Sequence, residues 1–68
     1  MQLTFGQKFK LLRQTTNRTE AETAVLLKTR ETSYQKLEDD FIYPTEAMLR
    51  KVAKLYNITR NELLAYGE

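Results

Sequence analysis

The chain has 68 residues, which makes one domain at most, with a modest core and therefore a thin margin of stability. It contains neither cysteine nor histidine, which excludes disulfides, thiolate and histidine metal sites, and every Ser-His or Cys-His nucleophile scheme. Eleven basic and nine acidic residues give a net charge of +2, a weak lean toward a polyanion. The distribution is uneven: residues 20–40 hold three basic and six acidic residues, net −3, and the remainder eight and three, net +5.

The N-terminus, MQLTFGQKFK, lacks the apolar run of a signal peptide. No segment approaches the roughly 20 apolar residues needed to span a bilayer. The expectation is a cytoplasmic protein with no membrane contact, and the missing cysteines fit a reducing compartment.

In chain order, Phe5, Phe9 and Leu12 recur at i, i+4 and i+7 and predict a helix over about 4–15, with Asn17 as its left-handed stop. Thr19-Glu20-Ala21-Glu22 is a capping box, in which threonine and glutamate each cover a free backbone N–H. It opens a second helix over about 19–27 that carries Ala24 and Leu27 inward. After a turn at Lys28-Thr29, Tyr34 and Leu37 mark a third helix over about 30–38. Pro44 closes that region and forces an extended residue before it. Thr45 caps a fourth helix over about 45–56, with Met48, Leu49, Val52, Ala53 and Tyr56 inward and Asn57 as its stop. Thr59 and Glu62 form a second capping box, and Ile58 with Leu63 a hydrophobic staple, at the start of a fifth helix over about 59–66. The prediction is all-α, with five short helices in a single domain over 1–68.

Two short helices joined by a tight turn within five helices resemble the Cro and lambda-repressor-like (XRE-type) helix-turn-helix family of bacterial and phage DNA-binding proteins. "FGQKFKLLR" is similar to the family's first helix, "TEAETAVLLKTRETSYQKLE" to its helix-turn-helix, and "YPTEAMLRKVAKLYNITRNELL" to its last two helices. The likeness runs from about Phe5 to Leu64. Ala24 stands where the family keeps a small residue at the helix crossing. Arg13 and Glu38 stand where it forms an ion pair between helix 1 and the end of helix 3. The sequence also departs from the family. Lys28 holds the turn position usually given to glycine, Glu20 replaces a phosphate-binding glutamine, and Asp40 replaces the glycine after helix 3. Arg18 and Thr23 replace a matched apolar pair at the two ends of the helix 2 staple.

The resemblance implies a transcriptional regulator, a repressor among others, that reads double-stranded DNA with helix 3 in the major groove. The base-facing positions are then Arg30, Glu31, Thr32, Ser33, Gln35 and Lys36. Gln35 suits adenine, Glu31 the cytosine amino group, Thr32 a thymine methyl, and Arg30 or Lys36 guanine or phosphate. Phosphate contacts fall to Arg18, Thr19, Lys28 and Tyr43. The bland counterpart is a solvated polar face with i, i+4 pairing. Phe41 is open between core and loop surface, and Tyr43 between core and phosphate contact. Leu55, Leu64 and Tyr66 form either a homodimer surface or a modest apolar patch.

Glu20, Glu31, Asp39 and Asp40 motivate a second reading. It is a degenerate, acidic helix-turn-helix that binds a protein partner, such as an anti-repressor docking on a basic DNA-binding protein. Carboxylates for acid–base work exist in number, but nothing places them in a pocket, so neither an enzyme nor a cofactor is expected.

Overall fold

A computed structural model describes residues 3–67. Among them are five helices and no strand: α1 (Phe5–Thr15), α2 (Glu20–Leu26), α3 (Glu31–Glu38), α4 (Glu46–Leu55) and α5 (Arg60–Leu64). Threonine starts four of them. Thr4, Thr19 and Thr59 each make a reciprocal capping box, with Gln7, Glu22 and Glu62, and Thr45 accepts from the Met48 N–H. The box at Thr4 uses glutamine, which the capping-box pattern admits as readily as glutamate. α3 alone begins without a side-chain cap, on Arg30.

Four left-handed residues end the first four helices: Asn17 (φ 56°), Lys28 (φ 56°), Asp40 (φ 60°) and Asn57 (φ 57°). After α2, the Thr29 N–H reaches back to the Ala24 carbonyl (2.9 Å) and that of Lys28 to Val25 (3.0 Å). After α3, Phe41 does the same to Lys36 (2.9 Å) and Asp40 to Leu37 (3.3 Å). These paired bonds satisfy the orphan carbonyls of the last turn. Lys28 therefore makes the turn expected of glycine, at a steric cost of roughly 1 kcal/mol for its Cβ. α5 stops two residues short of the predicted 66, because Ala65 and Tyr66 close its last turn on Asn61 and Leu63.

The core gathers Phe9 and Leu12 of α1, Ala24 and Leu27 at α2, Tyr34 and Leu37 of α3, Leu49, Val52 and Ala53 of α4, and Leu63 of α5. Leu55, Leu64 and Tyr66 lie half-buried against it. Each keeps part of its surface open, so the three are neither fully inside nor a freely projecting patch. Phe41 resolves the other way, 78% exposed, since the left-handed Asp40 turns the chain outward.

α1 crosses the end of α3 at one residue. A Cβ on Gly6 would lie 2.3 Å from the Glu38 carbonyl oxygen and 2.8 Å from that of Leu37. Two residues on, Lys8 is buried, donates to the Leu64 carbonyl that ends α5, and sits 5.8 Å from the Phe5 ring centre.

Candidate nucleic-acid interface

The outward side of α3 carries the side chains expected to face base edges. Arg30, Glu31, Thr32 and Lys36 are exposed, and Ser33 and Gln35 half-buried. Gln35 Nε2 donates to Glu31 Oε2 at 3.3 Å, an i, i+4 contact that orders both amide and carboxylate on one stripe. Ser33 faces a small cleft with Thr29, Ile42, Pro44 and Met48 and lies off that stripe.

α3 is fixed from behind by its own acids. Glu38 is buried and takes two bonds from Arg13, Nε to Oε2 at 2.7 Å and Nη2 to Oε1 at 3.2 Å. Arg13 Nη1 also donates to the Arg18 carbonyl at 3.0 Å, so one guanidinium ties α1, the approach to α2 and the end of α3. The Glu38 bond holds the Arg13 guanidinium above its already high ordinary value. Asp40 meets α1: Oδ2 accepts from the Thr4 hydroxyl at 2.7 Å and Oδ1 from the Gly6 N–H at 3.0 Å. An acid that opposes the dipole of α3 therefore complements the positive end of α1. Asp39 is exposed, with no partner among the described residues.

This division separates two neighbouring acids by experiment. Asp40→Ala removes both bonds and leaves a Cβ in a left-handed turn, at an expected cost of roughly 2 kcal/mol in urea unfolding. Asp39→Asn is expected to leave the urea midpoint in place. Equal midpoints for the two variants would remove Asp40 from the support of α1.

The residues expected to contact phosphates are less uniform. Lys28 and Tyr43 are exposed, Tyr43 at 87%. The Thr19 hydroxyl accepts from the Glu22 N–H at 3.1 Å, and the Thr19 backbone N–H holds the Glu22 carboxyl below its ordinary value. Arg18 is half-buried, with Nη1 fully enclosed and without a hydrogen bond among the described residues. Its guanidinium stands near the Tyr56 phenol, where the buried Thr23 hydroxyl also lies. Arg18 and Thr23, the polar replacements at the α2 staple, thus meet a third polar group inside the fold. One guanidinium nitrogen of Arg18 points inward, while the residue still lines an open cleft with Glu22, Val25 and Leu26.

Burial pushes both Tyr34 and Tyr56 phenols above the ordinary 10.0, aided at Tyr34 by the adjacent Glu38 carboxylate. The unfolded chain releases these protons near pH 10 while the fold retains them. Their contribution to stability is therefore complete below that pH and declines as pH rises through it. Urea midpoints are expected to hold up to about pH 9 and fall above it. Tyr34→Phe is expected to flatten that fall, and an unchanged slope would exclude Tyr34 as its source.

No group of acidic side chains among the described residues is arranged to hold a metal ion. No helix among them is long and apolar enough to cross a membrane. The chain matches no family model, no curated protein and no solved structure.

Proposed function

We propose that the protein is a sequence-specific double-stranded DNA-binding regulator of the Cro and lambda-repressor-like type, with α2 and α3 as its helix-turn-helix. The observation that carries this reading is the split of the α3 acids. Glu38 and Asp40 are bonded internally to α1 and its flanks. The outward stripe keeps Arg30, Lys36, Thr32 and the Gln35–Glu31 pair. A helix that looked net acidic is thus mixed in charge where a duplex would meet it.

In this reading α3 lies in the major groove, with Gln35 bidentate to adenine N6 and N7 and Glu31 accepting from a cytosine amino group. Arg30 and Lys36 take guanine or phosphate. Lys28, Tyr43 and the backbone N–H groups opening α2 hold the phosphates. Releasing Gln35 from Glu31 costs only about 0.2–0.5 kcal/mol, which one good base contact exceeds. The protein has no catalytic role in this account.

The test is parallel selection from a random duplex pool by the native chain and by Gln35→Ala. The native chain is expected to enrich one motif, and the variant to relax it at a single base pair. Identical motifs from both would end the assignment of base reading to Gln35. Glu31 and Asp39, both exposed, keep the second reading in view, in which the same face docks a basic protein. It predicts no enrichment from the pool.

A further inference from the structure

Two exposed apolar features lie outside the α3 stripe, and their chemistries are complementary. The first is a groove of about 450 Å³ between the end of α2 and α4, lined by Leu26, Leu27, Lys28, Lys51, Lys54 and Leu55. Leu26 is 49% exposed on its wall. Every charged residue of the lining is a lysine. Lys51 lies 3.5 Å from the Leu27 carbonyl and so offsets the negative end of α2. Lys28 and Lys54 face no acid in the lining.

The second feature is the turn after α3, where Asp39 precedes Phe41, Ile42 and Tyr43, exposed at 78%, 44% and 87%. Three consecutive large apolar side chains in water are a patch that calls for a cover. Phosphate contact uses a tyrosine hydroxyl but has no use for Phe41 or Ile42.

We propose that the groove is the docking site for a second copy of this chain, which inserts its Phe41-Ile42 turn over Leu26 and Leu55 and sets Asp39 against Lys28 and Lys54. The lysine rim and apolar floor match an acid-flanked apolar protrusion in both charge and polarity. A nucleic acid backbone would answer the lysines and waste the leucines. Groove and protrusion share no residue, so one copy offers both at once. The contact is heterologous, each copy donating its turn to the next, and it propagates beyond a dimer unless a ring closes. A five-residue turn makes a small interface, so the association is weak and concentration-dependent. None of this rests on DNA binding.

Sedimentation of the full chain without DNA tests it, from roughly 10 μM to 1 mM, where a small interface associates. The native weight-average mass is expected to rise at least about twofold across that range and to fall back at high salt. Phe41→Ser and Leu26→Ser with Lys54→Glu are each expected to stay monomeric, with native helical circular dichroism to show that they fold. An equimolar mixture of the two retains one intact turn and one intact groove, and is expected to form a dimer and nothing larger. A native chain that stays monomeric overturns the proposal. So does an assembly that either variant leaves unchanged, or a mixture that stays monomeric. A monomeric native chain whose duplex binding weakens on Lys54→Glu would instead give the lysines to nucleic acid.

Discussion

Gly6→Ala is expected to lower the stability of the fold by roughly 3 kcal/mol, the upper range for forced overpacking. The added methyl would stand 2.3 Å from the Glu38 carbonyl oxygen and 2.8 Å from the Leu37 oxygen, and neither is a flexible side-chain end. Alanine is the better helix former by about 1 kcal/mol, so a purely local account of α1 expects the opposite sign. To relieve the clash α1 must lift from α3, and the lift strains the Asp40 bonds to Thr4 and Gly6. A chain of this size has only about 3–10 kcal/mol in hand. Thermal melting by circular dichroism is therefore expected to show a midpoint lower by 10 °C or more, at roughly 4–8 °C per kcal/mol. A raised midpoint would mean that α1 and α3 do not cross at Gly6.

Arg13→Ala is expected to do comparable damage by a different route. It strands the Glu38 carboxylate, whose side chain is only 3% exposed, and frees the Arg18 carbonyl. Breaking a buried pair from one side costs roughly 3–5 kcal/mol, because the remaining charge stays desolvated. Arg13 itself keeps 15% exposure, which favours the lower end of that range. The double variant Arg13→Met with Glu38→Leu is expected to recover most of the loss, since removing both charges abolishes the desolvation penalty along with the attraction. Urea unfolding of the single and double variants completes the cycle. A double variant as unstable as the single would indicate that the Arg18 carbonyl bond, not the ion pair, carries the effect.

Both effects belong to how α3 is held, and the two were not equally legible. The helices were legible because their signals are local: Thr19 with Glu22 and Thr59 with Glu62 lie three residues apart, and the apolar spacing fixes the inward side. Asn17 and Asn57 announced their turns for the same reason. Arg13 and Glu38 lie 25 residues apart, and only the resemblance suggested their pairing. The sequence grouped Asp40 with the acids that motivate a protein partner, because its actual partners, Thr4 and Gly6, lie 36 and 34 residues upstream. No pattern within a helix could reveal them. The need for glycine at position 6 is set by the Glu38 and Leu37 carbonyls, more than 30 residues downstream, and has no local signal in α1.

Surface and interior were hardest to separate at the ends of elements. Leu55, Leu64 and Tyr66 looked outward on a helical projection, yet half-bury against the core. Arg18 looked like a rim cation and turns one guanidinium nitrogen inward. In each case one turn of helix, or less, decides the direction, and such short stretches have no periodicity to read. The exposed polar side of α3 was legible except at Ser33, which faces the cleft beside Thr29 and Met48. What was not legible was that the three acids at its end have three different fates.

The central claim is that the stripe of α3 discriminates between DNA sequences. It is tested most directly by titrating the native chain against its selected duplex and a shuffled duplex of equal length, at several salt concentrations. The account predicts that the selected duplex binds at least about 10³-fold more tightly, and that both affinities fall along parallel lines in log salt, because phosphates set the slope and bases set the gap. Equal affinities at every salt concentration, vanishing together as salt rises, would contradict it.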